Sequence, residues 1–77
     1  MMLTTSDLQP GFRVRLIDFG LTDSLYRRKL LSLGVTRGVE VKIVRIAPLG
    51  CPLQLEVRGS AIALRFDEAN YLRWELL

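Results

Sequence analysis

The sequence has no histidine, and with it go the commonest metal ligand and the commonest general base near neutral pH. Its single cysteine, Cys51, excludes an internal disulfide, so neither a disulfide frame nor a Cys/His zinc cluster can brace the core. A reducing compartment is the natural setting. Long apolar runs are also missing. The longest uncharged stretch, Ile46 to Leu55, is broken by Pro48, Gly50 and Pro52 and is about half of the roughly 20 residues a membrane helix needs, so direct insertion in a bilayer is not expected. The opening Met1-Met2-Leu3-Thr4-Thr5-Ser6-Asp7 lacks the basic and apolar blocks of a secretory signal, which predicts a cytoplasmic location.

Catalytic signatures are equally scarce. There is no G-x-x-x-x-G-K-[ST] loop, no G-x-G-x-x-G and no Ser-His or Cys-His pair, so nucleotide hydrolysis and acyl transfer lack their usual machinery. Asp67 and Glu68 are adjacent, but neighbours on a helix point to different faces and do not form an acid-base pair. No carboxylates stand at D-x-D or E-x-x-E spacing, so no metal site is assigned. No enzymatic activity, catalytic residue or cofactor is expected.

What is present describes one small globular domain, residues 1–77. The chain is 49% hydrophobic and 25% charged, too apolar for disorder and near the lower size limit for an unstapled core. The net charge of +3 is spread along the chain, which allows an anionic partner without requiring one.

Leu8-Gln9-Pro10-Gly11 is a turn, after which Phe12, Val14 and Leu16 alternate with charged residues in a strand over 12–18. Thr22 or Asp23 can cap a helix whose Tyr26, Leu30 and Leu33 share one face, and Gly34 ends it. Gly38 serves a tight turn. Val39, Val41 and Ile43 alternate, then the phase slips to Val44 and Ile46, the mark of a bulge. Leu53, Leu55 and Val57 form the next strand. Arg58-Gly59-Ser60 turns it into a strand over 61–65, a single helical turn falls near 67–70, and Leu72, Trp74 and Leu76 alternate in a closing strand. Five short strands, one helix after the first and one helical turn before the last predict a small, strongly bent β-barrel, whose closure would remove exposed sheet edges.

Two segments carry the candidate partner-binding residues. Arg27-Arg28-Lys29 lies near a helix end, where cations stabilise the dipole without any partner. At about 100° per residue, however, Leu31 falls off the Tyr26-Leu30-Leu33 stripe and among those cations, so Arg27, Arg28 and Leu31 equally form a docking surface. Ala47-Pro48-Leu49-Gly50-Cys51-Pro52 is rigid and apolar. Pro48, Leu49, Gly50, Cys51 and Pro52 make either a recognition loop or a connection that folds Leu49 over the barrel mouth. Cys51 has no His or second Cys to act with. The aromatic residues Phe12, Phe19, Tyr26, Phe66, Tyr71 and Trp74 mostly read as core, which disfavours a groove for proline-rich peptides and a stacking surface for nucleic acid.

The ordered set Arg27-Arg28-Lys29-Leu30-Leu31-Ser32-Leu33-Gly34-Val35-Thr36-Arg37-Gly38, Ala47-Pro48-Leu49-Gly50-Cys51-Pro52 and Ala63-Leu64-Arg65 resembles the ferrous iron transport protein A (FeoA) family, from about Leu8 to Leu76. Two positions depart from that family's pattern: Arg37 stands where proline is usual before the turn glycine, and Cys51 where glycine or aspartate is. The resemblance implies an SH3-like barrel. It also implies a regulatory accessory of bacterial ferrous iron uptake that touches the membrane transporter FeoB and its cytoplasmic GTP-binding domain, held at the inner membrane only through that partner. Self-association stays open. Similar SH3-like modules follow the DNA-binding domain of metal-dependent repressors, and a regulatory module of that kind is the alternative, although about ten residues before the first predicted strand leave no room for a recognition helix.

Overall fold

Alternating apolar and polar side chains build a six-stranded antiparallel sheet: β1 Met2–Thr4, β2 Arg13–Asp18, β3 Glu40–Ile46, β4 Leu53–Val57, β5 Ser60–Leu64 and β6 Arg73–Leu76. Two helices interrupt them, α1 Ser24–Ser32 between β2 and β3, and the single turn α2 Phe66–Ala69 before β6. This computed structural model describes residues 2–48 and 52–77.

The strand order is β1-β6-β2-β3-β4-β5. Leu3 on one edge strand and Leu64 on the other belong to the same buried cluster as Val14, Leu16, Ile43 and Trp74, so the sheet must coil around a common interior. The barrel expected from the sequence is therefore present, but with a seam. Among the described residues no backbone ladder joins β1 to β5, and the expected removal of both edges does not occur.

The strand count also differs from expectation. Met2–Thr4 adds a strand before the predicted first one, paired with β6 from Met2 opposite Glu75 to Thr4 opposite Arg73, so α1 follows the second strand. Three residues with one buried side chain, Leu3, are too short for a period-two pattern to register. A 3-10 turn, Thr5–Asp7, follows. Its Thr5 is buried: the hydroxyl donates to the Ala69 carbonyl at 2.6 Å and accepts the Trp74 indole N–H at 3.1 Å.

The bulge in β3 is where the phase slip placed it. Ile43 pairs with Leu55 and Arg45 with Gln54, leaving Val44 as the extra residue, 48% exposed. Leu76, the last residue of β6, pairs with the buried Val14 yet is itself 39% exposed.

Tyr26 joins α1 to α2. Burial pushes its phenol above the ordinary value of 10.0, the nearby Glu68 carboxylate pushes the same way, and the backbone at Arg65 opposes them. A phenol whose pKa is higher folded than unfolded lends stability that is fully present below about pH 10 and lost as pH rises through the folded value. Urea midpoints should therefore fall more steeply between about pH 9 and 11 for the wild type than for Tyr26→Phe. Parallel curves would show that Tyr26 titrates alike in both states.

Candidate docking surface

The helix that carries the basic run is fixed at both ends. Asp23 caps its start by accepting the N–H groups of Leu25 at 3.0 Å and Tyr26 at 3.3 Å. At its end, Val35 N–H donates to the Leu30 carbonyl and Gly34 N–H to the Leu31 carbonyl, the paired bonds of a Schellman motif, with Gly34 at φ 91°. A left-handed residue is needed there, and glycine adopts it without a Cβ penalty.

That ending corrects the predicted stripe. Tyr26 and Leu30 are buried, but Leu33 is the C-cap and 38% exposed. The chain reverses at Gly34 and inserts Val35, fully buried, beneath the helix end where Leu33 was expected. Gly38 and Gly59 also have positive φ, at 85° and 82°, as their turns require.

The entry to α1 depends on a close approach. Gly20 has φ 58°, and a Cβ on it would collide with the Tyr71 carbonyl oxygen. Asp18 supports this corner, accepting the Gly20 N–H at 2.9 Å and facing the Arg73 guanidinium at 3.9 Å.

With Tyr26 and Leu30 turned inward, the outward face of α1 holds Arg27, Arg28, Lys29 and Leu31, all exposed. Leu31 is 45% exposed, as the helical spacing predicted. Leu25, at 72%, was missed in the sequence although the same spacing could have found it. Leu25, Arg28 and Leu31 stand three residues apart and wind around the helix as one row, so Arg28 is flanked by two solvent-facing leucines. Arg37, brought in by the turn before β3, shares a recess of about 330 Å³ with Arg27, Asp18, Phe19 and Gly20.

The electrostatics of this face are one-sided. Arg15 is shared between Glu40 at 3.3 Å and Glu75 at 3.2 Å, and Arg65 lies near Asp67 and Glu68. Among the described residues no carboxylate lies within 4 Å of Arg27, Arg28, Lys29 or Arg37. These cations are available to an anionic surface.

The second candidate segment lies elsewhere. Pro48 and Pro52 are exposed, and Ala47 N–H donates to the Pro52 carbonyl at 3.2 Å, while Leu49, Gly50 and Cys51 fall outside the described residues. β3 separates this loop from α1: the helix and its turn lead into Glu40, whereas the loop leaves from Ile46, about 20 Å away at some 3.3 Å per residue. Pro48 and Pro52, the described ends of the second segment, thus lie beyond the far end of β3 from the turn that follows α1. Sequence reasoning also missed a groove of about 430 Å³ where Met2, Leu21 and Tyr71 are exposed around Gly20.

This arrangement has close relatives. Residues 3–75 match the FeoA domain. The chain belongs to the FeoA family. The FeoA protein of Chlorobium tepidum superposes with a TM-score of 0.88 at 31% identity, covering 97% of this chain and 70% of that one. Stenotrophomonas maltophilia FeoA, solved with zinc and described as an unusual prokaryotic SH3-domain protein, superposes with a TM-score of 0.66 at 32% identity over 91% of this chain and 86% of its own. The SH3-like barrel of that relative is thereby shared with this chain. T. acidophilum IdeR gives a TM-score of 0.87 at 17% identity, with 99% of this chain on 34% of that one, a likeness of fold alone.

Proposed function

We propose that this FeoA-family chain is a cytoplasmic accessory protein of bacterial ferrous iron uptake, and that it acts by docking the outer face of α1 on the cytoplasmic region of the FeoB transporter. The observation that carries this reading is the row Leu25-Arg28-Leu31. Two leucines left in water beside unpaired cations suit a partner patch that is acidic and partly apolar. The S. maltophilia relative, put forward as a ferrous iron transport activating factor, supports the same direction. The loop from Pro48 to Pro52 is the second surface proposed for this partner.

Titration against the soluble GTP-binding domain of FeoB, and against full-length FeoB in detergent, tests the reading. Arg28→Glu and Leu31→Asp should each weaken binding by about 1–3 kcal/mol while the fold persists. Undiminished binding by both variants would transfer the contact to the Pro48–Pro52 loop. A wild type that binds neither form of FeoB would overturn the accessory role.

A further inference from the structure

The two open edges of the sheet are not equivalent. β1 is three residues long, and its Thr4 N–H is occupied by the Asp7 carboxylate at 3.0 Å. Short length and a side-chain cap are standard protections for an edge. β5 has neither. It runs Ser60-Ala61-Ile62-Ala63-Leu64 without a charge, a proline or a bulge, paired on one side with β4 from Val57 opposite Ser60 to Leu53 opposite Leu64.

Hairpin geometry determines which of its backbone groups are free. Arg58 and Gly59, with φ of 51° and 82°, form a two-residue turn of the type I′ kind, so Val57 and Ser60 exchange both hydrogen bonds. Alternation then directs the N–H and C=O of Ile62 and Leu64 to β4 and those of Ala61 and Ala63 outward. Among the described residues no backbone partner meets the outward groups.

We propose that β5 pairs with β5 of a second copy of this chain, antiparallel about a two-fold axis through Ile62. In that register Ala61 of one copy faces Ala63 of the other, and these are the two residues whose outward groups are free. Each such pair exchanges both of its hydrogen bonds, and Ile62 meets its own symmetry mate. The exposed alanine side chains allow the two edges to approach closely. Alongside runs a groove of about 240 Å³ lined by Val44, Gln54, Leu55, Ile62 and the two alanines, apolar but for Gln54, which lengthens the contact beyond the backbone.

Charge favours a second copy over a neutral strand. Arg58, in the turn before β5, has no carboxylate within 4 Å among the described residues, and antiparallel pairing brings that turn to the end of the other copy where α2 begins with Asp67 and Glu68, two acids that share the single cation Arg65. The two-fold axis repeats the arrangement at the other end. Five paired residues make a small interface beside the roughly 1,200–2,000 Å² of stable complexes, so assembly is weak and is to be sought at high protein concentration, roughly 10 µM to 1 mM.

Sedimentation equilibrium across that range, with amide hydrogen exchange followed by NMR, tests the proposal. The wild type should pass from monomer to dimer, and exchange at Ala61 and Ala63 should slow at least tenfold as it does. Ala63→Lys, which brings a cation onto the edge, and Arg58→Glu, which faces the other copy's acids with a like charge, should both stay monomeric with wild-type melting. A wild type still monomeric at about 1 mM would overturn the proposal and leave the edge to an extended segment of another protein. So would a dimer whose Ala61 and Ala63 amides exchange as in the monomer, or variants that dimerise like the wild type.

Discussion

Leu30→Asp should leave no folded protein, whereas Leu31→Asp, one residue along the same helix, should melt cooperatively. Leu30 is fully buried and its carbonyl anchors the Schellman bond from Val35 at 2.9 Å. Removing a buried leucine costs about 2–5 kcal/mol. Placing an unpaired carboxylate in the vacated site adds several more. A 77-residue domain has a total stability of only about 4–12 kcal/mol at typical per-residue values, so the sum exhausts it. Leu31, 45% exposed, loses little burial. An acid near the helix C-terminus opposes the dipole, which limits its cost to about 1 kcal/mol. Trp74, the sole tryptophan and fully buried, reports the difference: its emission should be red-shifted before heating in Leu30→Asp and native in Leu31→Asp. A native melt of Leu30→Asp would mean that α1 is not integral to the core.

The elements that repeat a period several times were legible in the sequence. Val14 and Leu16 in β2, Leu53, Leu55 and Val57 in β4, and Tyr26 with Leu30 on α1 are buried as their spacing implied. Even the slip at Val44 could be read, because two phases of one alternation cannot share a face without an extra residue. Misreadings cluster where an element ends. Leu33 continues a pattern past the point where the helix stops and Leu76 is the last residue of its strand, and periodicity has no term for termination. β1 was invisible because it owes its existence to β6 across the whole length of the chain.

The candidate site was legible in part for the same reason. Arg27, Arg28 and Leu31 could be placed on an outer face because that face is the complement of a well-defined stripe. Arg37 joins them only through the turn that returns α1 to the sheet, and Leu25 was overlooked although the helix wheel places it beside Arg28. The free edge of β5 required knowledge of strand order, since a sequence names strands but not which one lies last. A coiled sheet with a seam leaves this fold with both an exposed helix face and an unpaired strand edge, on different parts of one small barrel.

Thr5 shows how that seamed barrel is held at its ends, and its substitution should have the second large effect. The hydroxyl links the 3-10 turn after β1 to the end of α2 and to β6, and every buried side-chain polar atom among the described residues has a partner in this way. In Thr5→Val the Ala69 carbonyl keeps the Leu72 N–H at 3.1 Å, but the Trp74 indole N–H is left buried with no acceptor. The unmet donor and the lost bonds should cost about 2–3 kcal/mol. For a domain of this size that lowers the melting temperature by roughly 10–20 °C. Thr5→Ser removes a methyl group but keeps both hydrogen bonds, at a cost of about 1 kcal/mol. Valine preserves shape and serine preserves bonding, so the order of the two variants decides which matters. Melting should rank wild type above Thr5→Ser and Thr5→Ser above Thr5→Val; the reverse order of the variants would assign this corner to packing alone.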